Sequence, residues 1–573
     1  MAKKKKTRSI YQPYGYGSVD GIEQYGRYEP GEDEGEFEFV GYGRRIAIER
    51  VSKDIDGGSP ILTIGFDTMG GRRETVNMFR ELLSKKKDVQ QLLLKCGADV
   101  YDSSLNTLMN CLRVSEDSAE KGQCFHRTGW IVENVGTDKE RLFFKGSSLV
   151  SSSLDDEQAD YVGRYDLNIK GTFESWKSMV AEYVLGRPAL EAAVLIGLSP
   201  IVSCEWGARN LVFHFAGDSG TGKTTSAILA LSTIGCPNSA ETAKYSGLDG
   251  KPLRSLMSSW KGTSNALIGK LDGLDGTLMV YDELSKVEST EILTSTIYTL
   301  SDGVDKDRML SPTEMQSTNV SRTNILSVGE ESLLEKANNQ NSGLNVRVCE
   351  ISTDFTESPE QAEAIVAGCY ANYGHAGTRF VQYIVENMTY TDVADLRERN
   401  LAEYSNALVA AGSQSKTIRR LAEFGAILLT VADIAEEALE IEFSRRDIID
   451  FLVEQQVNTD ANTDIGLRAY NALRGFVNAN IGRFITNGSS VWSSSATCLG
   501  KIEHLAGGGM EVNIIATEFP EIMKELKFNN PSLILKKFKA AGYLDCEANK
   551  NYRKRQITKS DKSAHVIVVR FPQ

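Results

Sequence analysis

One stretch, residues 211–231, constrains this 573-residue chain more than any other. The apolar run Leu211-Val-Phe-His-Phe-Ala216 enters Gly217-Asp218-Ser219-Gly220-Thr221-Gly222-Lys223-Thr224, which fits G-x-x-x-x-G-K-[ST], and a helix-forming run, Ser226 to Leu231, follows. Strand, loop and helix in that order build a phosphate cradle. Three glycines let successive N–H groups converge on a phosphate chain, and the new helix adds its positive end. In such a cradle Lys223 reaches the β- and γ-phosphates of ATP, the Thr224 hydroxyl ligates Mg²⁺, and Thr225 completes the nucleotide contact. A buried strand carrying this loop requires a parallel sheet covered by helices, so the expected fold class is α/β.

The chain is too long for one core, and its length alone suggests roughly three or four domains. Its 41% hydrophobic and 25% charged residues are those of a soluble globular protein. The longest apolar stretch, residues 189–204, is interrupted by Glu191 and Pro200 and is too short to span a bilayer. The lysine-rich start has no apolar run behind it, so no secretory signal is expected. Nine scattered cysteines without a C-x-x-C pair point to reduced thiols in a cytoplasm. The five histidines show no metal-ligand spacing, and His214 reads as a core residue.

Along the chain, residues 1–36 read as a flexible tail and 37–170 as an α+β N-terminal domain, with helical patterning at 74–95. Residues 171–353 carry the strand–helix alternation of the nucleotide core, and 354–486 are helical. A Gly/Ser-rich linker, 487–509, precedes a basic module at 510–573. The net charge of −13 is uneven: residues 501–573 carry +5 and everything before them −18. A basic end on an acidic ATPase is a hint of nucleic-acid contact.

The site extends beyond the loop. Thr277-Leu-Met-Val-Tyr-Asp282-Glu283 is an apolar strand ending in two carboxylates, a Walker B pattern in which Asp282 holds the Mg²⁺ shell and Glu283 polarises the attacking water. Ser327, at the end of a third strand, is a candidate γ-phosphate sensor or, alternatively, a hydroxyl capping the next helix. Arg347 has two readings, an arginine finger reaching a neighbouring subunit or a structural salt bridge. Arg419 and Arg420 open a helix where a lid arginine would touch the γ-phosphate, or where a surface charge would sit. Between the second and third strands, Lys306 and Arg308 lie in a polar insert. It is either a channel hairpin gripping a phosphodiester backbone or a solvated turn.

In the terminal module, Leu533, Ile534, Leu535 and Phe538 alternate with Lys536, Lys537 and Lys539 as an amphipathic helix with a basic face. A loop with Arg553, Lys554 and Arg555 then forms a wing-like hairpin. Helix plus wing is a DNA-docking shape, although such modules also bind proteins.

With these residues in place, the chain resembles the AAA+ replication ATPases of mobile genetic elements, such as those of staphylococcal chromosome cassettes and pathogenicity islands, whose core is similar to minichromosome-maintenance helicases. The resemblance spans roughly residues 104–351. It is carried by His126-Arg-Thr-Gly-Trp130, Ser259-Trp-Lys-Gly-Thr263-Ser-Asn265, Asp282-Glu283-Leu284, Gly303-x-x-Lys306-x-Arg308, Leu326-Ser327-x-Gly329-Glu330 and Gly343-x-x-x-Arg347. The insert departs from the commoner Gly-x-Gly-Lys form at Gly303-Val-Asp-Lys306. The resemblance implies an AAA+ core with a helical lid, a C-terminal winged helix and a homohexameric ring in a bacterial cytoplasm. It also implies ATP- and Mg²⁺-dependent DNA unwinding, with single-stranded DNA in the channel and duplex at the winged helix. A non-unwinding, DNA-stimulated ATPase switch is the alternative. A small-molecule kinase would leave the basic module and the insert without a role.

Overall fold

The computed structural model describes residues 13–572 except 33–35, 69, 153–157, 208, 239–247, 288, 305–308, 312–313, 316–319, 338–342, 414–416, 464, 487–496, 506–507, 527, 529, 548–549 and 558–562. Lys306 and Arg308 lie outside the described residues.

The N-terminal part begins earlier than its polar composition implies. Residues expected in a tail form the antiparallel strands Tyr14–Val19 and Ile22–Pro30, the second of which pairs onto Phe37–Arg44. Tyrosines anchor them: the Tyr16 hydroxyl donates to the Ile46 and Cys111 carbonyls at 3.0 Å each, and the Tyr25 hydroxyl bonds Ser104 at 2.7 Å. A Tyr/Gly-rich strand buries little aliphatic surface, so its apolar period is faint although each ring brings both area and a polar handle. The expected helix over 74–95 is likewise corrected. Arg73–Phe79 is a strand with buried Val76 and Met78, and the helix proper is Lys86–Lys95. A five-stranded mixed sheet and the helices Lys86–Lys95 and Leu105–Ser118 close this core.

The His126–Trp130 motif joins that domain to the parallel-sheet domain that follows. The Arg127 guanidinium donates to Asp272 at 3.3 Å and to the Val320 carbonyl at 2.9 Å. The Thr128 hydroxyl donates to the Asp275 carbonyl at 2.7 Å, and Trp130 Nε1 to Ile201 O at 2.7 Å. Gly129 sits at φ 112°, where an added Cβ would lie 2.6 Å from that of Asp275, so only glycine permits this approach.

The central sheet is wholly parallel, with strands numbered here in chain order: β1 Val212–Ala216, β2 Met257–Ser259, β3 Met279–Asp282, β4 Ile325–Gly329 and β5 Val348–Ser352. Its spatial order is β2-β3-β4-β1-β5. Every residue of β1 and β4 is buried, as a sheet covered on both faces requires. The loop after β1 therefore opens at a carboxyl end where the strand order reverses, the usual crevice for a ligand. Helix Pro188–Ser203 has no polar face and is buried from Ala189 to Ser203, packing on helix Lys223–Ser232 and on helix Ile418–Leu439.

The helical region divides as Pro359–Ala371, His375–Asn387, Tyr390–Ala410, Ile418–Leu439 and Arg445–Thr463, the first two separated at Gly374. They share one apolar core with the sheet, for example through Phe213 against Phe424. The terminal module also starts earlier than expected. Helix Ile465–Ala479 and strand Gly500–His504, read from sequence as lid and linker, contribute Tyr470, Leu473, Phe476 and Ile502 to the core of the C-terminal sheet. Their apolar faces match those of neighbouring segments, and only packing shows which domain they serve.

Candidate nucleotide site and nucleic-acid interface

Gly217, Gly220 and Gly222 all take positive φ, so the loop from Gly217 to Thr224 curls before helix Lys223–Ser232 as its glycines require. The Lys223 ammonium folds over the loop, donating to Gly217 O at 2.8 Å and Asp218 O at 2.6 Å. Asp218, Ser219, Gly220 and Thr224 are exposed, Thr221 and Thr225 half-buried. From the far side, the Phe355 amide donates to Thr221 O at 2.8 Å, and Thr356 packs so close that a Cβ on Gly222 would lie 2.5 Å from its Oγ1.

Asp282 ends β3, two strands from the loop, with the Thr224 hydroxyl and the Lys223 ammonium close enough to its carboxylate to act on its charge. Burial pushes the Asp282 carboxyl above its usual range and the Glu283 charge adds to this, while the Glu283 amide, Thr224 and Lys223 pull the other way. A partly buried carboxylate whose charge is disfavoured, beside a hydroxyl and an ammonium, fits a divalent cation and phosphates. Glu283 adopts φ 61°, ψ 60°, a left-handed conformation uncommon outside glycine, and its exposed carboxylate pairs with Lys286.

Ser327 is placed differently from either reading. It is fully buried, with its hydroxyl 2.9 Å from His214 Nδ1 and receiving a bond from Trp260 Nε1 at 2.9 Å. The following helix is capped instead by Ser332. Across the sheet His214 is in register with Ser327 and Glu350, and Ser327 with Tyr281, so one transverse row forms a polar seam. Burial holds the His214 imidazole below its usual range despite the nearby carboxylates of Glu350 and Glu331. The seam reaches the strand end that carries Asp282 through Trp260, whose amide donates to Asp282 O at 2.9 Å.

Arg347 pairs within its own chain, donating to Asp302 at 3.2 Å and Gly343 O at 3.1 Å with its guanidinium over Tyr298. Close to it sits a residue that sequence reasoning missed. Arg209 donates to Val346 O at 2.8 Å, and burial lowers its pKa, opposed by Glu423 and reinforced by the Arg347 and Arg420 charges. Arg420 thus belongs to an arginine cluster at this edge, whereas Arg419 turns away to bind Glu398 at 2.8 and 3.1 Å. Arg209 stands in a loop without a motif, so no local signal could have singled it out.

The insert contains a short hairpin, Met309–Ser311 with Glu314–Met315, closed at its base by a Val304–Val320 bridge. In the terminal module Lys536 and Lys537 project from helix Pro531–Ala540 into solvent, and Lys539 folds back onto the Lys550 carbonyl at 3.0 Å. The wing-like strand Arg553–Arg555 alternates. Lys554 is exposed, while Arg553 and Arg555 are tied to Asp545, and Arg555 also to Glu511. Burial works against the Asp545 charge, yet Arg553, Arg570 and Arg555 hold its carboxyl below the usual range. Those two arginines, expected at phosphates, serve an internal ion network.

Fold and site together define a mixed α/β multidomain protein whose parallel sheet presents a phosphate-loop pattern at its carboxyl edge. The chain belongs to the family described as "Domain of unknown function (DUF927)", whose model matches residues 17–319, just over half of it. A second model, "Cch helix turn helix domain", matches residues 464–573, a boundary that agrees with the packing of helix Ile465–Ala479. Among solved structures the chain is similar to "SCCmec type IV Cch - active helicase", at 22% identity and TM-score 0.71 over 98% of each chain. A search of curated proteins finds no match. Among the described residues no helix is long and apolar enough to cross a membrane, and no disulfide joins any of the nine cysteines.

Proposed function

We propose that this protein is a cytoplasmic ATP-dependent DNA helicase of a mobile genetic element, acting as a homohexameric AAA+ ring with a helical lid and a C-terminal winged helix. The reading rests above all on the juxtaposition of Lys223 and Thr224 with Asp282 across the carboxyl edge of the sheet. The full-length likeness to a structure titled an active helicase supports it.

In this mechanism the loop amides and Lys223 bind and orient the phosphates of ATP, and Thr224 and Asp282 would hold magnesium. When bound, the ion supplies charge neutralisation at the phosphates. Lys223 exchanges its loop carbonyls for phosphate oxygens, so the bonds it makes in the nucleotide-free loop are replaced rather than lost. Glu283, released from Lys286, orients a water and takes its proton. Arg347 leaves Asp302 to meet the γ-phosphate of the adjacent subunit, the Arg209–Arg420 cluster maintaining positive potential at that edge. Lys306 and Arg308 would carry the force to a DNA strand, and Lys536, Lys537 and Lys554 would meet duplex phosphates.

Strand displacement on forked DNA tests the reading. ATP-dependent unwinding that is lost in Lys223→Ala is expected. DNA-stimulated hydrolysis by an assembled ring with no displacement would replace it with a switch ATPase.

A further inference from the structure

A second polar centre lies outside the nucleotide site, where the ends of two parallel strands meet. Strand Ile46–Asp54 pairs with Glu120–Phe125 so that Asp54 is opposite Cys124. Asp56 follows in the turn, and His126 is the first residue past the second strand. The chain separation between them is about seventy residues, so no ligand spacing is visible in the sequence.

The three side chains converge: His126 Nδ1 lies 3.2 Å from Asp54 Oδ2 and 3.5 Å from Asp56 Oδ2. The Asp54 side chain is fully inaccessible to solvent, yet its Oδ2 has no hydrogen-bond partner, and neither has His126 Nδ1. Two complementary atoms 3.2 Å apart without a hydrogen bond mean that the ring's N–H direction does not point along the line joining them. Metal coordination produces this arrangement, because each ligand aims its lone pair at a common point off that line. With bonds of about 2.0–2.2 Å to nitrogen and oxygen, ligands around a tetrahedral ion sit about 3.3–3.6 Å apart. The observed separations lie close to this spacing.

The rest of the surroundings orients the carboxylates and leaves Asp54 Oδ2 and His126 Nδ1 open. Asp54 Oδ1 accepts the Asp56 amide at 3.0 Å. Asp56 Oδ2 accepts the His126 and Arg127 amides at 3.1 and 3.0 Å, and its Oδ1 pairs with Lys145. Phe79 meets the His126 ring edge-on at 5.7 Å. A Cβ on Gly58 would lie 2.4 Å from Asp54 Oδ2, so the glycine keeps space beside that oxygen. The backbone amides, Phe79 and Gly58 form the outer layer a metal site uses to fix its ligands, whereas the Lys145 ammonium competes with an ion for Asp56.

We propose that Asp54, Asp56 and His126 bind one divalent transition ion of the zinc or manganese class. One imidazole and two carboxylates suit these ions better than magnesium, which prefers an all-oxygen shell. The ion would be structural. The next two residues, Arg127 and Thr128, dock on Asp272, Gly273 and Asp275 of the nucleotide core, so the ion would pin the N-terminal domain at its joint.

The test is titration of nucleotide-free, chelator-treated full-length protein with Zn²⁺, and separately with Mn²⁺, followed by calorimetry, thermal melting and elemental analysis after desalting. Wild type should retain one equivalent and melt higher with it, and Asp282→Asn should retain the same equivalent, which separates this centre from the nucleotide site. Asp54→Asn and His126→Gln should each weaken binding by about 100-fold and abolish the thermal gain. Lys145→Met should act in the opposite direction, tightening binding by about tenfold because it removes a competing cation from Asp56. A wild-type chain that retains neither ion, folded ligand variants that bind normally, or a Lys145→Met variant that binds no tighter would each overturn the proposal.

Discussion

Gly222→Ala, combined with Thr356→Ala, probes the loop most sharply. Gly222 sits at φ 85°, ψ 11°, a left-handed conformation that costs alanine about 1 kcal/mol. Its new Cβ would also meet Thr356 Oγ1 at 2.5 Å and Cγ2 at 2.7 Å. Overpacking of this kind costs a further ~1–3 kcal/mol. The nucleotide-free loop relieves both by moving, and bound phosphates must restore it, so the full ~2–4 kcal/mol appears as lost affinity. That corresponds to a decrease of about 30- to 1000-fold. Thr356→Ala removes the two closest atoms and leaves Cβ at 3.0 Å. The double variant should recover to within about 5- to 10-fold of wild type, the residue being the backbone penalty. A fluorescent ATP analogue titrated against all four proteins of the cycle reads these values. Wild-type affinity in Gly222→Ala, or no recovery in the double variant, would refute the assigned loop geometry.

Other perturbations have distinct signatures. Asp282→Asn should cut hydrolysis by about 100-fold or more while leaving the nucleotide-free melting temperature no lower, because burial already disfavours that charge; a large drop in melting temperature would contradict this. Arg347→Ala should abolish hydrolysis in assembled rings with nucleotide binding retained, whereas Arg419→Ala should change either by less than about twofold, since its partner Glu398 is an exposed surface pair. Equal defects in both would remove the distinction. Burial keeps His214 neutral when folded, so its contribution to stability is complete above the unfolded value of about 6.5 and declines as pH falls below it. Melting curves between about pH 7.5 and 5.5 should therefore fall less steeply in His214→Gln than in wild type. Replacing Lys536 and Lys537 together by alanine should lower the salt dependence of duplex binding by about two counterions without changing ATP hydrolysis in the absence of DNA.

The parts of the site that a reader of the sequence could find are those held by contiguous chain. Gly217 to Thr224 and Asp282-Glu283 follow from backbone geometry and strand termination, which are local. Ser327 shows the limit of that approach. Its position at a strand end was legible, but whether its hydroxyl faces phosphate or core depends on the strand register that sets it opposite His214 and on Trp260 reaching it from another segment. Charge alone marks Arg553 and Arg555 as phosphate contacts, whereas the carboxylates that occupy them come from Asp545 and the distant Glu511. The opening strands leave little mark on the local sequence because Tyr16 and Tyr25 are secured by partners 30 to 95 residues away.

An α/β core with a glycine-rich loop pattern, an acidic strand end, a helical region and a basic end are all legible along the chain, because each depends on short-range backbone preference or on apolar period. Which side chains meet depends on long-range packing. It gathered Arg209, Arg347 and Arg420 at one edge, buried Ser327 in a polar seam, moved helix Ile465–Ala479 into the terminal module and brought Asp54 and Asp56 to His126. Those contacts join residues far apart in the chain, and their energy is realised only once strands are in register and desolvated together.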